Sequence, residues 1–159
     1  MANRVVITGM GVVSPNGVGL PDFRAAIKAG KSGIRLDSQL EALQFSCQIA
    51  GKPIVDQDFI SRYFTPLELR NFNSSGILYG VIAGMDAWLD AGLTPNPNDE
   101  PYWDYGMIFG AGTSGIDRFR EAIYKIDELQ TRRLGSTVVV QTMNSGVSAY
   151  LSGKLGLGN

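Results

Sequence analysis

Three β-branched residues, Val5, Val6 and Ile7, run straight into Thr8-Gly9-Met10-Gly11 and then Ser14-Pro15-Asn16-Gly17, and no other stretch of the 159-residue chain narrows its fold as much. A short β-branched run without polar alternation reads as a strand covered on both faces, the setting of a parallel sheet held between helix layers. The glycines that follow let the backbone leave the strand sharply, and Pro15-Asn16-Gly17 supplies turn chemistry. Residue chemistry alone therefore gives the first strand of an α/β domain.

Helical patterns alternate with further strand patterns downstream. Leu20-Pro21-Asp22 starts a helix whose apolar face is Phe23, Ala26 and Ile27, ending near Gly30. Residues 36–58 read as a surface excursion with extended pieces over 45–50 and 53–55. The longest helical pattern covers residues 66–93, with Leu69, Phe72, Ile77, Val81, Met85 and Trp88 spaced three to five apart and Gly92 as its stop. Small residues along it, Gly76, Gly80, Ala83 and Gly84 among them, permit close approach of neighbours. Residues 95–101 form a loop and residues 105–110 a second buried strand. A helix from Gly115 to Leu129 carries the stripe Ile116, Phe119, Ile123 and Ile126; residues 137–140 favour extended backbone, and residues 143–155 are helical again, ended by Gly156. Strands alternating with helices predict layers around a largely parallel sheet.

With 44% hydrophobic and 18% charged residues the chain has the composition of a globular domain. A net charge of -1 without a basic run argues against nucleic acid and anionic membrane as partners. No apolar stretch reaches the roughly 20 residues of a membrane span. The single cysteine, Cys47, rules out an internal disulfide framework and a multi-cysteine metal site; with no signal peptide before the first strand, a cytoplasmic location is expected. Cys47 shows neither a neighbouring base nor a helix start to activate it, so it reads as structural or incidental.

Gly110-Ala111-Gly112-Thr113-Ser114-Gly115 satisfies the dinucleotide-binding spacing between a predicted strand and a predicted helix. The acidic residues about 20 positions on, around Asp127 and Glu128, fall at the end of that helix and not at the end of a second strand, which argues against a dinucleotide. The same glycines serve equally well in a strand-to-helix turn that packs closely.

The wording of the first turn, Val6-Ile7-Thr8-Gly9-Met10-Gly11-Val12-Val13-Ser14-Pro15-Asn16-Gly17, closely resembles the amino-terminal signature of the β-ketoacyl-acyl-carrier-protein synthases. The segment from Met143 to Leu151, ending in Gly156-Leu157, resembles that family's helix before the strand that delivers its nucleophile. The resemblance implies a thiolase-like fold, an α-β-α-β-α stack in the complete protein, of which residues 1–159 are the first half. The nucleophilic cysteine and two histidines belong to later segments of such a protein. This chain contains no histidine, so residues 1–159 alone are expected to be inactive.

The implied reaction is acyl transfer to a cysteine followed by decarboxylative condensation with a malonyl thioester, with no metal or redox cofactor. Implied partners are an acyl carrier protein, acyl and malonyl thioesters, and a second subunit in a homodimer or a heterodimer with a ketosynthase. The resemblance places Gly112, Thr113 and Ser114 in the wall of an acyl pocket, Thr113 standing where many members have a gating aliphatic side chain. The segment from about Arg133 to Gln141, with Val138, falls at the dimer interface and the far end of that pocket. Where many members carry several basic residues for carrier docking, only Arg62 and Arg70 remain near the start of the long helix. Two alternatives stay open: an inactive partner subunit resembling the chain-length factors, and, on the Gly110 loop alone, a dinucleotide-dependent oxidoreductase.

Overall fold

The computed structural model describes residues 4–158; residues 1–3 and 159 of the expected half-domain lie outside them. Packing is organised on one helix, α5, Ser75–Asp90, whose Ile77, Val81, Ile82 and Met85 are buried. Its glycines recur every four residues at 76, 80 and 84, leaving one face almost bare. Helix α8, Gly146–Leu155, presses its own i, i+4, i+8 row of Val147, Leu151 and Leu155 against that face. A Cβ on Gly80 would stand 2.5 Å from Val147 Cγ1, and one on Gly84 would overlap Leu151 Cδ2. Small residues here set the interhelix distance, and burial of each apolar side chain in the seam contributes about 1.5 to 3 kcal/mol.

The glycines of the first turn meet the same helix. A Cβ on Gly9 would overlap the Ala87 carbonyl, and one on Gly11 the Ala83 carbonyl. They allow backbone to lie on backbone, and Met10 N–H donates to Asp90 Oδ2 at 2.9 Å. The residues before them do not form the expected buried strand. Residues 4–8 and 105–110 run without a ladder partner among the described residues, and Val5 and Ile108 are 91% and 102% exposed. A strand needs a neighbour to take its N–H and C=O groups, and no segment of the described chain pairs with either run.

Described sheet structure is therefore not the expected parallel sheet but two small antiparallel pairs. β1, Val13–Ser14, pairs with β2, Gly17–Val18, around the Pro15-Asn16 turn. β3, Ile34–Leu36, pairs with β4, Ile49–Gly51, and encloses α2, Ser38–Ala42, in the expected surface excursion. Helix α1, Leu20–Lys28, starts with a proline in its first turn, as expected. A short α3, Gln57–Ser61, precedes the long helical segment, which the structure divides in two.

α4, Pro66–Asn71, is closed at its start by a capping box of Thr65 and Glu68, and residues 72–74 break the helix before α5. The break is held from far along the chain: Gln141 Oε1 accepts from the N–H groups of Asn73 and Ser74 at 2.8 and 3.0 Å. Gln141 lies on α7, Val138–Thr142, helical where β-branched propensity favours extended backbone. This long-range pairing outweighs propensities that amount to about 1 kcal/mol or less per residue. Helix α6, Ile116–Asp127, turns its expected stripe outward: Ala122 is buried, while Ile116, Phe119, Ile123 and Ile126 are exposed.

Glu68 also ties α4 to α8. Its Oε1 accepts from Tyr150 O–H and Lys154 Nζ, both at 2.8 Å, and its Oε2 from Thr65 N–H at 2.7 Å. Burial alone would raise this carboxyl, but the bonds from Lys154, the Thr65 backbone and Tyr150 outweigh it and bring the pKa from 4.5 down to about 2. A depressed carboxylate stabilises the fold above its unfolded pKa and loses that contribution as pH falls through the folded value. Urea midpoints should therefore fall between about pH 4.5 and 2, and Glu68→Gln should flatten that part of the profile.

Candidate functional site

The loop of residues 110–115 enters α6 at Gly115, which has φ +64° and a backbone position where a Cβ would overlap the Gln141 carbonyl. Only glycine fits both demands. Ser114 is buried and packs on α5: its Oγ would be 2.9 Å from a Cβ on Gly76. That hydroxyl makes no hydrogen bond within the described chain. Asn144 Nδ2 donates to the Gly112 carbonyl at 3.4 Å, and Asp117 Oδ2 accepts the Ser75 N–H at 2.9 Å. Gly112 and Thr113 remain exposed at the loop's apex. Asp127 and Glu128 are exposed where α6 ends, away from any strand.

Val138 is separate from this loop. It lines a cleft of about 190 Å³ between α4, α6 and α7, together with Arg70, Arg118, Lys125 and Arg133. Four cations face one lining carboxylate, Glu121, which Lys125 and Arg118 hold at 2.6 and 2.7 Å. The Lys125 hydrogen bond, against some burial, keeps the Glu121 carboxyl below its ordinary range. Arg133 donates to Gln130 Oε1 at 2.9 Å. An open basic cleft of this kind suits an acidic partner or a phosphate group.

The sequence marks Arg70 as a docking residue and Arg133 as the start of the interface segment, and gives no expectation for Arg118 and Lys125. The Arg132-Arg133 pair and the Glu121/Lys125 spacing were the available signals. Arg62 belongs elsewhere, its guanidinium 4.8 Å from the Phe59 ring centroid, in a cleft of about 520 Å³ with Tyr63, Glu68 and Lys154. Cys47 is exposed. Among the described residues no group of His, Cys, Asp or Glu could hold a metal ion, and no helix is long and apolar enough to cross a membrane.

Residues 2–158 match the family model of the β-ketoacyl synthase N-terminal domain. The chain belongs to the β-ketoacyl synthase family. This ketosynthase domain is 30% identical to 3-oxoacyl-[acyl-carrier-protein] synthase 2 of Vibrio cholerae over 154 residues, 97% of this chain and 36% of that protein. It is 30% identical to the tetracenomycin polyketide synthase ketoacyl synthase beta subunit of Streptomyces glaucescens over 122 residues, 77% of this chain and 29% of that protein. A β-ketoacyl synthase structure from Burkholderia phymatum superposes with a TM-score of 0.73 at 22% identity, covering 98% of this chain and 38% of that one. The fold is thus that of thiolase-like ketosynthases, and the chain spans about a third of the length of the curated relatives it matches.

Proposed function

We propose that the complete ketosynthase condenses acyl and malonyl carrier-protein thioesters, and that this domain supplies a wall of its acyl pocket and part of its carrier-docking surface. A thiolate attacks the acyl thioester and expels the carrier thiol. The malonyl group then loses CO₂, and the resulting enolate carbon attacks the acyl-enzyme, returning the cysteine. The observation that carries the pocket role is the seating of residues 114 and 115 between α5 and α7, which leaves Thr113 exposed above a closely packed base. Gly112 and Ser114 on either side add little bulk, while Val138 lies apart from them in the basic cleft.

The basic cleft supports docking of an acidic carrier protein through Arg70, now in the company of Arg133, Arg118 and Lys125, which moves Arg133 from the expected dimer interface to the docking surface. Arg62, in its separate cleft, serves as an outlying contact. The outward stripe of α6 supports a second subunit, either another copy or a homologous ketosynthase. The chemistry calls for no metal or redox cofactor.

Incubated with acyl and malonyl carrier thioesters, the complete protein should form a 3-oxoacyl thioester, and residues 1–159 alone should form none, because they contain no histidine and Cys47 Sγ meets the Ile49 carbonyl and not a base. Arg70→Glu together with Arg133→Glu should lower kcat/KM about tenfold at low salt and much less at high salt, with kcat preserved, since the loss is in steering and docking. Failure of the complete protein to condense overturns the reading. A second reading, an inactive partner that shapes product length, has the support of a match to the tetracenomycin ketoacyl synthase beta subunit equal in identity to that with the Vibrio cholerae synthase. Such a protein would give no product alone but would change the chain length made by an active ketosynthase subunit.

A further inference from the structure

The strip of backbone below Thr113 is held on two sides. Ser114 lies against the first turn of α5 at Gly76, and Gly115 lies against the backbone of α7 at the Gln141 carbonyl. The width of that gap depends on what fixes α7 to the start of α5. One side chain makes the connection directly: Gln141, 4% exposed, gives its Oε1 to the N–H groups of Asn73 and Ser74 at 2.8 and 3.0 Å. Its Nε2 donates to Thr137 Oγ1 at 3.3 Å, and that hydroxyl donates to the Asn71 carbonyl at 2.6 Å, so the link reaches the end of α4 as well. The amide donates and accepts in the same buried place, and an apolar replacement would leave two N–H groups without a partner.

We infer that Gln141 is a positioning residue for the 110–115 loop: by pinning α7 to the α4–α5 break it fixes the gap that seats Ser114 and Gly115, and with it the height of Thr113. The inference rests on the proposed pocket role of the loop. It also explains why a helix of only five residues, α7, is helical against its β-branched composition: the turn presents Gln141's side chain to one neighbour and its carbonyl to the other.

The test uses the complete protein with Gln141→Met, which removes donor and acceptor, and Gln141→Glu, which keeps an acceptor for the two N–H groups. Amide hydrogen exchange is followed at residues 73–74 and 112–115, and kcat/KM is measured across a series of acyl lengths. In the Met variant, exchange at 112–115 should rise together with exchange at 73–74, and kcat/KM for the longest acyl chains should change about tenfold relative to the short ones. The Glu variant should restore both. If exchange rises only at 73–74, or if all acyl lengths lose activity in proportion, Gln141 is merely structural and the inference fails. If the Met variant does not fold, the Glu variant decides: wild-type exchange at 112–115 and a wild-type length profile uphold the inference, and a changed profile despite protected amides at 73–74 overturns it. A wild-type protein that forms no condensation product defeats the proposed function instead, and the exchange pattern still decides whether Gln141 holds the loop.

Discussion

Gly115→Val is expected to destabilise the protein by about 2 to 5 kcal/mol, the sum of about 1 to 2 for forcing a side chain into left-handed backbone and about 1 to 3 for overpacking. Gly115 has φ +64°, and the new Cβ would overlap the carbonyl of the buried Gln141, a backbone atom and not the end of a flexible side chain. Against a typical net stability of about 5 to 15 kcal/mol this is a large fraction. The same motif contains its own control, because a Cβ on Gly110 or Gly112 would meet nothing within 4 Å. Alanine at either should stay within about 1 kcal/mol of wild type. Urea denaturation of the three variants checks this. Equal losses at all three would mean that the loop is not seated between α5 and α7. A dinucleotide turn would also need its first glycine for the tight turn and its second for the approach of the pyrophosphate, so Gly110 and Gly112 would not be free to vary.

Leu151→Ala should cost about 2 to 5 kcal/mol, the range for emptying a packed leucine site. Leu151 is 1% exposed, and its Cδ2 occupies the space left open by Gly84. The two positions should therefore couple. Gly84→Ala in the wild-type background pushes a methyl into Leu151, whereas in the Leu151→Ala background the same methyl enters the vacated space. A double-mutant cycle should return an interaction of about 1 kcal/mol or more, with the double variant more stable than the sum of the singles predicts. Strict additivity would show that α5 and α8 do not meet as described.

Legibility of the fold in the sequence followed how local each cause was. Helices α1, α6 and α8 and the core of α5 were readable from periodicity, and Gly92 and Gly156 do end helices with φ +74° and +70°. Val5–Ile7 and the run before Gly110 carry strand composition, but strand is a property of a pair, and the described chain offers neither run a ladder. The break at residues 72–74 and the helical turn of Val138-Val139-Val140 meet at the Gln141 amide, whose hydrogen bonds reach across 67 and 68 residues and leave no local pattern. For the site, the Gly110 to Gly115 motif was visible and its most constrained glycine was not. The basic cleft has no local sequence pattern, because Arg70, Arg118 and Arg133 come from different elements and meet only in the folded chain.

The proposed place of Thr113, above the packed seat of Ser114 and Gly115, is the wall of an acyl pocket. It is tested most directly by the acyl-length profile of the folded complete protein, or of its complex with an active partner, carrying Thr113→Phe. Enlarging the side chain should shorten the longest acyl group accepted. Overfilling costs about 1 to 3 kcal/mol, enough to change selectivity about tenfold or more, while short substrates keep their kcat/KM. An unchanged length profile in that variant would contradict the claim.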